Sequence, residues 1–312
     1  MMKNKILVIV GPTATGKTSL GIKLCKEFNG EIVSSDSRQV YKYMDIGTGK
    51  EWGEVKIWGY DLVEPWENFS VSEYFKRMKW AVEDIWKRGK LPVIVGGTGF
   101  YVKSLIDGIQ TVDIPKNINL RNSLVSLSVS DLFEKLAVLD GTKAASLNSS
   151  DKLNPRRLIR AIEVASWKIE NETKNVEVIR RENVLNDKVS VLQIGLTASL
   201  DSLKLRIKKR VEKRMNEGFI DEVENLLKMG ISWKNQSMQS LGYKESEDFF
   251  KNGTTYEDFI SNWESNEINY IKRQITWFKK DKRIVWFDIE SENFYNEVEK
   301  EVSKWYSTNE IK

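Results

Sequence analysis

The eight residues Gly11-Pro12-Thr13-Ala14-Thr15-Gly16-Lys17-Thr18 follow the spacing G-x-x-x-x-G-K-[ST]. Glycines at those positions let backbone N–H groups converge on phosphate oxygens at a helix N-terminus, and Lys17 adds a full positive charge. Thr18 is placed to ligate Mg²⁺. The motif therefore predicts a bound diphosphate or triphosphate, without saying what carries it or what attacks it. A second group with chemical capacity is Asp36, in Ser34-Ser35-Asp36-Ser37-Arg38-Gln39-Val40-Tyr41. A carboxylate at the carboxyl end of a strand can accept a proton or hold a metal; the plainer role is a turn or helix cap. The chain has no histidine, which removes the commonest general base and favours the chemical role for Asp36.

The elements around these residues read as a parallel α/β protein. Ile6–Val10, Glu31–Ser35 and Leu91–Val95 are apolar runs of strand length, and helical patterns start after Lys17 and run over 71–87. Val189–Leu196 and Arg283–Asp288 read as returns to the same sheet. An ordinary P-loop ATPase ends a later strand in an aspartate that helps hold Mg²⁺. Here Leu91–Val95 runs instead into Gly96-Gly97-Thr98-Gly99, which argues against a simple ATPase or GTPase. Adjacent glycines suit a loop lining a substrate pocket, and equally a tight turn.

The stretch 113–187 is more polar, with helical patterns at Val129–Leu139 and Pro155–Ile169. It reads as a helical insertion into a core formed by 1–112 and 188–312. Long helices are expected over Ser199–Met229 and Thr255–Lys280. Two arginine pairs have i,i+4 spacing, Arg156 with Arg160 and Arg206 with Arg210. The first pair suits a polyanion contact or a solvated face; for the second, spacing alone favours a solvated surface.

Composition narrows the class. With 312 residues and 40% hydrophobic content the chain can bury a real core. No apolar run approaches the roughly 18 residues that span a bilayer, and the N-terminus lacks a signal-peptide pattern, which predicts a cytoplasmic protein with no membrane partner. Cys25 stands alone among Leu20, Leu24 and Phe28 at helical spacing and is expected to fill core. A net charge of +4 and eleven tryptophans do not by themselves establish a nucleic-acid partner.

Taken in order, Gly11–Thr18, Asp36–Tyr41 with Met44-Asp45-Ile46-Gly47-Thr48-Gly49-Lys50, Gly96-Gly97-Thr98, Asn154–Arg160, Arg206–Gly218, Gln239–Lys244 and Arg273–Phe278 closely resemble the tRNA dimethylallyltransferase family. The resemblance covers nearly the whole chain. It implies a P-loop NTPase-like parallel sheet with a helical insertion that grips a tRNA anticodon stem-loop, in a monomer. The implied reaction moves a dimethylallyl group from dimethylallyl diphosphate to the exocyclic amine of the adenosine next to the anticodon, with Mg²⁺ as cofactor.

On this resemblance Gly11, Pro12, Thr13, Ala14, Thr15, Gly16, Lys17, Thr18, Arg206 and Arg210 hold the diphosphate, and Thr18 the metal. Asp36, Lys17 and Thr98 form the catalytic set. The implied tRNA contacts are Asp36, Ser37, Arg38, Gln39, Thr98, Arg121, Arg156, Arg157, Leu158, Ile159, Arg160, Gln239, Ser240, Leu241, Gly242, Tyr243 and Lys244. Family members usually carry histidine near the segment that here reads Trp58-Gly59-Tyr60-Asp61-Leu62, a departure that touches the pocket wall. The cysteines and histidines of the zinc-binding extension in longer eukaryotic relatives are absent, so a bacterial-type enzyme is implied. The rival readings are a small-molecule kinase or NTPase, an isopentenyltransferase acting on free adenylate, and a non-catalytic RNA-binding module.

Overall fold

The computed structural model describes residues 4–109, 111–172 and 189–308. The first part of the chain lays down β1 (Asn4–Val10), α1 (Lys17–Glu27), β2 (Gly30–Ser34), β3 (Ile57–Trp58), α2 (Val71–Lys87), β4 (Leu91–Val95) and α3 (Gly99–Asp107). A group of helices follows: α4 (Ile118–Leu124), α5 (Val129–Leu139), α6 (Gly141–Ala145), α7 (Ser149–Lys152) and α8 (Pro155–Glu172). The last part contains β5 (Val189–Thr197), α9 (Leu200–Asn216), α10 (Phe219–Lys228), a 3₁₀ turn at Ser237–Gln239, α11 (Tyr243–Asn252), α12 (Tyr256–Phe278), β6 (Ile284–Asp288) and α13 (Phe294–Ser307).

The six strands form one sheet in the order β3-β2-β4-β1-β5-β6, every neighbouring pair parallel. Parallel strands need crossover connections, and the helices that supply them cover both faces, so the inner strands are apolar throughout rather than alternating. Thus β4 is buried along its whole length, and β1 from Ile6 onward. Leu7, Ile9, Ile32, Val93 and Ile194 pack with Leu20, Leu24 and Cys25 of α1. Each such residue contributes about 1.5–3 kcal/mol on full burial, and Cys25 fills core as expected. Register aligns the strand ends: Ile9 lies opposite Val95, and Val95 opposite Ser34. The loops starting at Gly11, Ser35 and Gly96 therefore leave the sheet at one level of its carboxyl edge, where open α/β sheets bind ligands.

Two compact units divide the chain, Met1–Asp107 with Asn183–Lys312 and Gly108–Glu182. The sequence placed the insertion at 113–187, of which 173–187 lies outside the described residues. The helical unit packs on Leu124, Leu132, Leu136, Ala144, Leu158 and Ile162. Its short helices start at side-chain caps from Asn117, Ser128, Asp140 and Asn148, each satisfying an otherwise orphaned N–H.

One expectation fails. Ser199–Met229 is not a single helix, because Gly218 adopts φ +96° and ends α9 before α10 begins. The break turns Phe219 into a wholly buried aromatic cluster with Tyr243 and Trp263, at centroid distances of 5.1 and 4.5 Å. Trp263, fully buried, is packing rather than a stacking platform. The short edge strand β3 went unpredicted. Among the described residues, no helix is long and apolar enough to cross a membrane.

Candidate active site

A cavity of about 890 Å³ opens at the carboxyl edge of the sheet, lined by the P-loop, the loop after β2, Gly96 and Gly97, and the inward faces of α9 and α12. Gly96 is required by close approach: a Cβ there would lie 2.2 Å from the Ser35 carbonyl oxygen. The strands flanking β1 run into Gly96-Gly97 and Thr197-Ala198, so neither brings a carboxylate beside the P-loop.

At the P-loop, Lys17 Nζ donates to the Pro12 carbonyl at 2.6 Å. Burial and then Arg210 push its pKa down to about 7 from 10.5, against the pull of Asp36 and Glu267. A cation so poorly compensated favours an anion close by. Arg210 reaches across from α9 to donate to Thr13 Oγ1 at 2.5 Å, and Arg206 approaches the Ala14 carbonyl at 3.5 Å. The sequence-expected pair thus faces the phosphate loop. Gln274 of α12 accepts from Thr13 N at 2.8 Å and donates to the Gly97 carbonyl at 3.0 Å, bridging the two loops.

Asp36 lines the same cavity, two residues beyond β2. Its Oδ1 accepts from the Arg38 N–H at 2.8 Å, the turn-capping role that the sequence offered beside a chemical one. Thr98 is not part of the cavity wall. Its Oγ1 accepts from the Ser37 N–H at 3.1 Å and its N–H donates to the Ser35 carbonyl, so it braces the loop that carries Asp36. Tyr270, whose hydroxyl donates to the Gly97 carbonyl at 3.5 Å, has its pKa raised to about 12, chiefly by burial, and stays a neutral donor.

Ser37, Arg38, Gln39, Gln239, Ser240 and Leu241 also line the cavity. Gln39 is largely committed internally, accepting from Ser34 Oγ at 2.7 Å and donating to the carbonyls of Thr48 and Gly49. Ser240 and Tyr243 are buried, whereas Lys244 is exposed. Tyr243 donates a hydrogen bond from its hydroxyl to Glu222, whose carboxylate also gathers the N–H groups of Asp45, Ile46 and Gly47 at 2.7, 2.8 and 3.0 Å. That carboxylate fixes the 44–50 loop, and Lys50 fixes it again through Asp45 and Asp61.

Within the helical unit the expected contacts separate. Arg156 is exposed, Arg157 is exposed and ion-paired with Asp151, and Leu158 has no exposed surface. The Leu158 side chain, expected at tRNA, serves the core instead; Ile159 packs beside it. Arg160 and Arg121 both pair with the buried Glu163, and Arg160 also donates to the carbonyls of Thr111 and Ile114. The expected shared phosphate face of Arg156 and Arg160 is therefore reduced to Arg156. Sequence reasoning assigned no role to Arg214, Glu222, Glu267, Tyr270 or Gln274. The last three recur at helical spacing along α12, a signal visible only once the partner of that face is known.

The fold and the cavity define a P-loop α/β protein whose strands beside the P-loop end without an acid and whose carboxylate stands on the neighbouring loop of the same cavity, a departure from the layout of an ordinary nucleotide hydrolase. Residues 39–281 match the sequence model of IPP transferase, and residues 4–57 that of isopentenyl transferase. The tRNA dimethylallyltransferase of Thermoanaerobacter is 39% identical over 97% of this chain and 98% of its own length. That of Anoxybacillus flavithermus is 38% identical over 94% of this chain and 93% of its own. The crystal structure of the full-length tRNA isopentenylpyrophosphate transferase from Bacillus halodurans is similar at TM-score 0.71 and 34% identity, covering 97% of each chain. A eukaryotic dimethylallyltransferase acting on tRNA shares the fold at TM-score 0.82 and 24% identity, over 99% of this chain and 81% of that one. The chain belongs to the IPP transferase family, the family of the tRNA dimethylallyltransferases.

Proposed function

We propose that the protein transfers a dimethylallyl group from dimethylallyl diphosphate to the exocyclic amine of an adenosine next to the anticodon of tRNA, releasing diphosphate. The observation that carries this is a single cavity with Lys17 and Arg210 at the P-loop and Asp36 on the neighbouring loop. An aromatic amine is a weak nucleophile, because its lone pair is delocalised into the ring. It attacks the allylic carbon as the carbon–oxygen bond breaks, the bonding pair leaves with the diphosphate, and the amine proton passes to Asp36. Lys17, Arg206, Arg210 and the P-loop N–H groups stabilise charge where it develops on the leaving group.

Among the described residues no cluster of three or more His, Cys, Asp or Glu could hold a metal by itself. The donor set fits Mg²⁺ in another way, with the Thr18 hydroxyl supplying a hard oxygen in the cavity and the donor's phosphates the rest. When bound, Mg²⁺ supplies further neutralisation of the leaving diphosphate. Arg156 and Lys244, both exposed, are read as tRNA phosphate contacts, and Arg38 and Gln239 as contacts to the target region. A monomer working in the cytoplasm is part of the same reading.

The test uses two labels, one in the allyl group of dimethylallyl diphosphate and one in the γ-phosphate of ATP, each offered with tRNA and with free AMP. Transfer of the allyl label to tRNA alone is expected. Movement of the γ-phosphate would establish a kinase, and prenylation of AMP in preference to tRNA would establish a free-nucleotide enzyme.

A further inference from the structure

Glu267 of α12 is an acid in a place that should exclude one. Its side chain is 5% exposed and lines the cavity that holds Lys17, Arg210 and Arg214. A carboxylate there repels a diphosphate, so it lowers affinity unless it orders the cations around it. The geometry does order them. Glu267 Oε2 lies 2.9 Å from Arg210 NH2, and Oε1 lies 3.5 Å from Arg214 NH1 and accepts from Trp263 Nε1 at 3.4 Å. Held at that end, Arg210 has its other terminal nitrogen on Thr13 of the P-loop.

Arg210, Arg214 and Lys17 also repel one another. Burial and then Arg210 push the pKa of Arg214 down to about 10, and Glu267 opposes that shift. Without Glu267, two long flexible cations would splay away from each other and from the lysine. Arginine loses much rotamer freedom when it is fixed, and a site that fixes it before the ligand arrives binds more tightly.

We infer that Glu267 is a positioning residue for the donor diphosphate, acting through Arg210, which it holds against the P-loop at the cavity wall. This rests on the proposed diphosphate role of the cavity. It adds a residue of opposite charge, on a different helix, to the set that sets donor affinity.

The experiment measures binding of inorganic diphosphate by calorimetry at fixed Mg²⁺, together with KM for dimethylallyl diphosphate and for tRNA. The proteins are wild type, Glu267→Ala, Glu267→Gln, Arg210→Ala and the Glu267→Ala/Arg210→Ala double variant. Glu267→Ala is expected to weaken diphosphate about 10- to 100-fold, the scale of one charge-assisted hydrogen bond, and to raise donor KM while leaving tRNA KM unchanged. Glu267→Gln, which keeps one carbonyl acceptor for Arg210, should recover part of the loss. The double variant should be no worse than Arg210→Ala alone, as expected when one residue acts through the other.

Diphosphate affinity equal to or tighter than wild type in Glu267→Ala would overturn the inference, as would additive losses in the double variant or a lowered melting temperature with unchanged affinity. If Glu267→Ala does not fold, Glu267→Gln decides: wild-type donor KM there overturns the inference and a raised donor KM supports it. Failure of the wild type itself to bind diphosphate would overturn the function of the cavity, and the inference with it.

Discussion

Two helices carry arginines at the same spacing, and the structure uses them in opposite ways. On α9, Arg206 and Arg210 turn toward the P-loop, and Arg210 meets Thr13. On α8, Arg160 turns inward to Glu163, leaving its i,i+4 partner Arg156 exposed. Each inward arginine is held by a buried glutamate, Glu267 in one case and Glu163 in the other. The difference lies in where the remaining donors go. Arg160 spends them on the Thr111 and Ile114 carbonyls, whereas Arg210 reaches the Thr13 hydroxyl of the P-loop and lines the cavity. A buried ion pair closed by backbone carbonyls builds structure, and one that ends at a cavity wall is placed where a ligand can meet it.

Among the variants that bear on this comparison, the largest effect belongs to the core. Lys17→Ala should slow transfer about 10²- to 10³-fold, the scale of losing one preorganised donor to a developing anion, measured as single-turnover rate at saturating donor. A loss under threefold would remove the P-loop lysine from the chemistry.

The next measurement sets the two arginines against each other. Arg210→Ala should raise donor KM about 10- to 100-fold, and melting should change less, because the loss of a partner for Glu267 is offset by relief of the repulsion Arg210 exerts on Lys17 and Arg214. Arg160→Ala should cost the helical unit about 1.5–3 kcal/mol, since Glu163 loses a charged partner, and leave donor KM alone. An exchange of these phenotypes would break the comparison.

Lys17 gives a pH signature. Its pKa in the free protein is about 7 against 10.5 unfolded, so between those values the unfolded chain holds more proton and stability rises with pH. A bound diphosphate favours the charged amine. Binding above about pH 7 should therefore take up close to one proton, which calorimetry in buffers of different ionisation enthalpy measures and which Lys17→Met should abolish. Uptake persisting in Lys17→Met would assign the proton elsewhere.

The smallest effect is Arg156→Ala, which should lower the slope of log tRNA affinity against log salt by roughly 0.7–0.9, the value for one phosphate contact. An unchanged slope would make Arg156 a solvated residue.

Much of the core was legible because its signals are local. Leu91–Val95 is an apolar run between turns, α2 fills the helical pattern read over 71–87, and the P-loop is contiguous in sequence. What was hidden depends on distant partners or small geometric switches. Gly218 sits inside an unbroken amphipathic pattern, and its positive φ becomes evident only when Phe219 has a cluster to enter. β3 is two residues long and exists through its pairing with β2. The fate of Arg160 is set by an acid one turn along and by carbonyls at 111 and 114, so spacing alone could not separate it from Arg210. Thr98 was legible as part of the glycine loop, but its contact with Ser37 was not, since it depends on a partner 61 residues away.

The central claim is that the diphosphate end of the cavity and Asp36 act on one reaction, and Asp36→Asn tests it most directly. Asparagine keeps the Oδ1 that accepts from Arg38, so the loop is retained while the capacity to take a proton at neutral pH is lost. In single-turnover transfer with donor and tRNA saturating, repeated across a Mg²⁺ series, the rate should fall about 10²- to 10⁴-fold at every Mg²⁺ concentration while both substrates still bind within a few-fold. A wild-type rate, or a defect that disappears as Mg²⁺ rises, would contradict Asp36 as the proton acceptor.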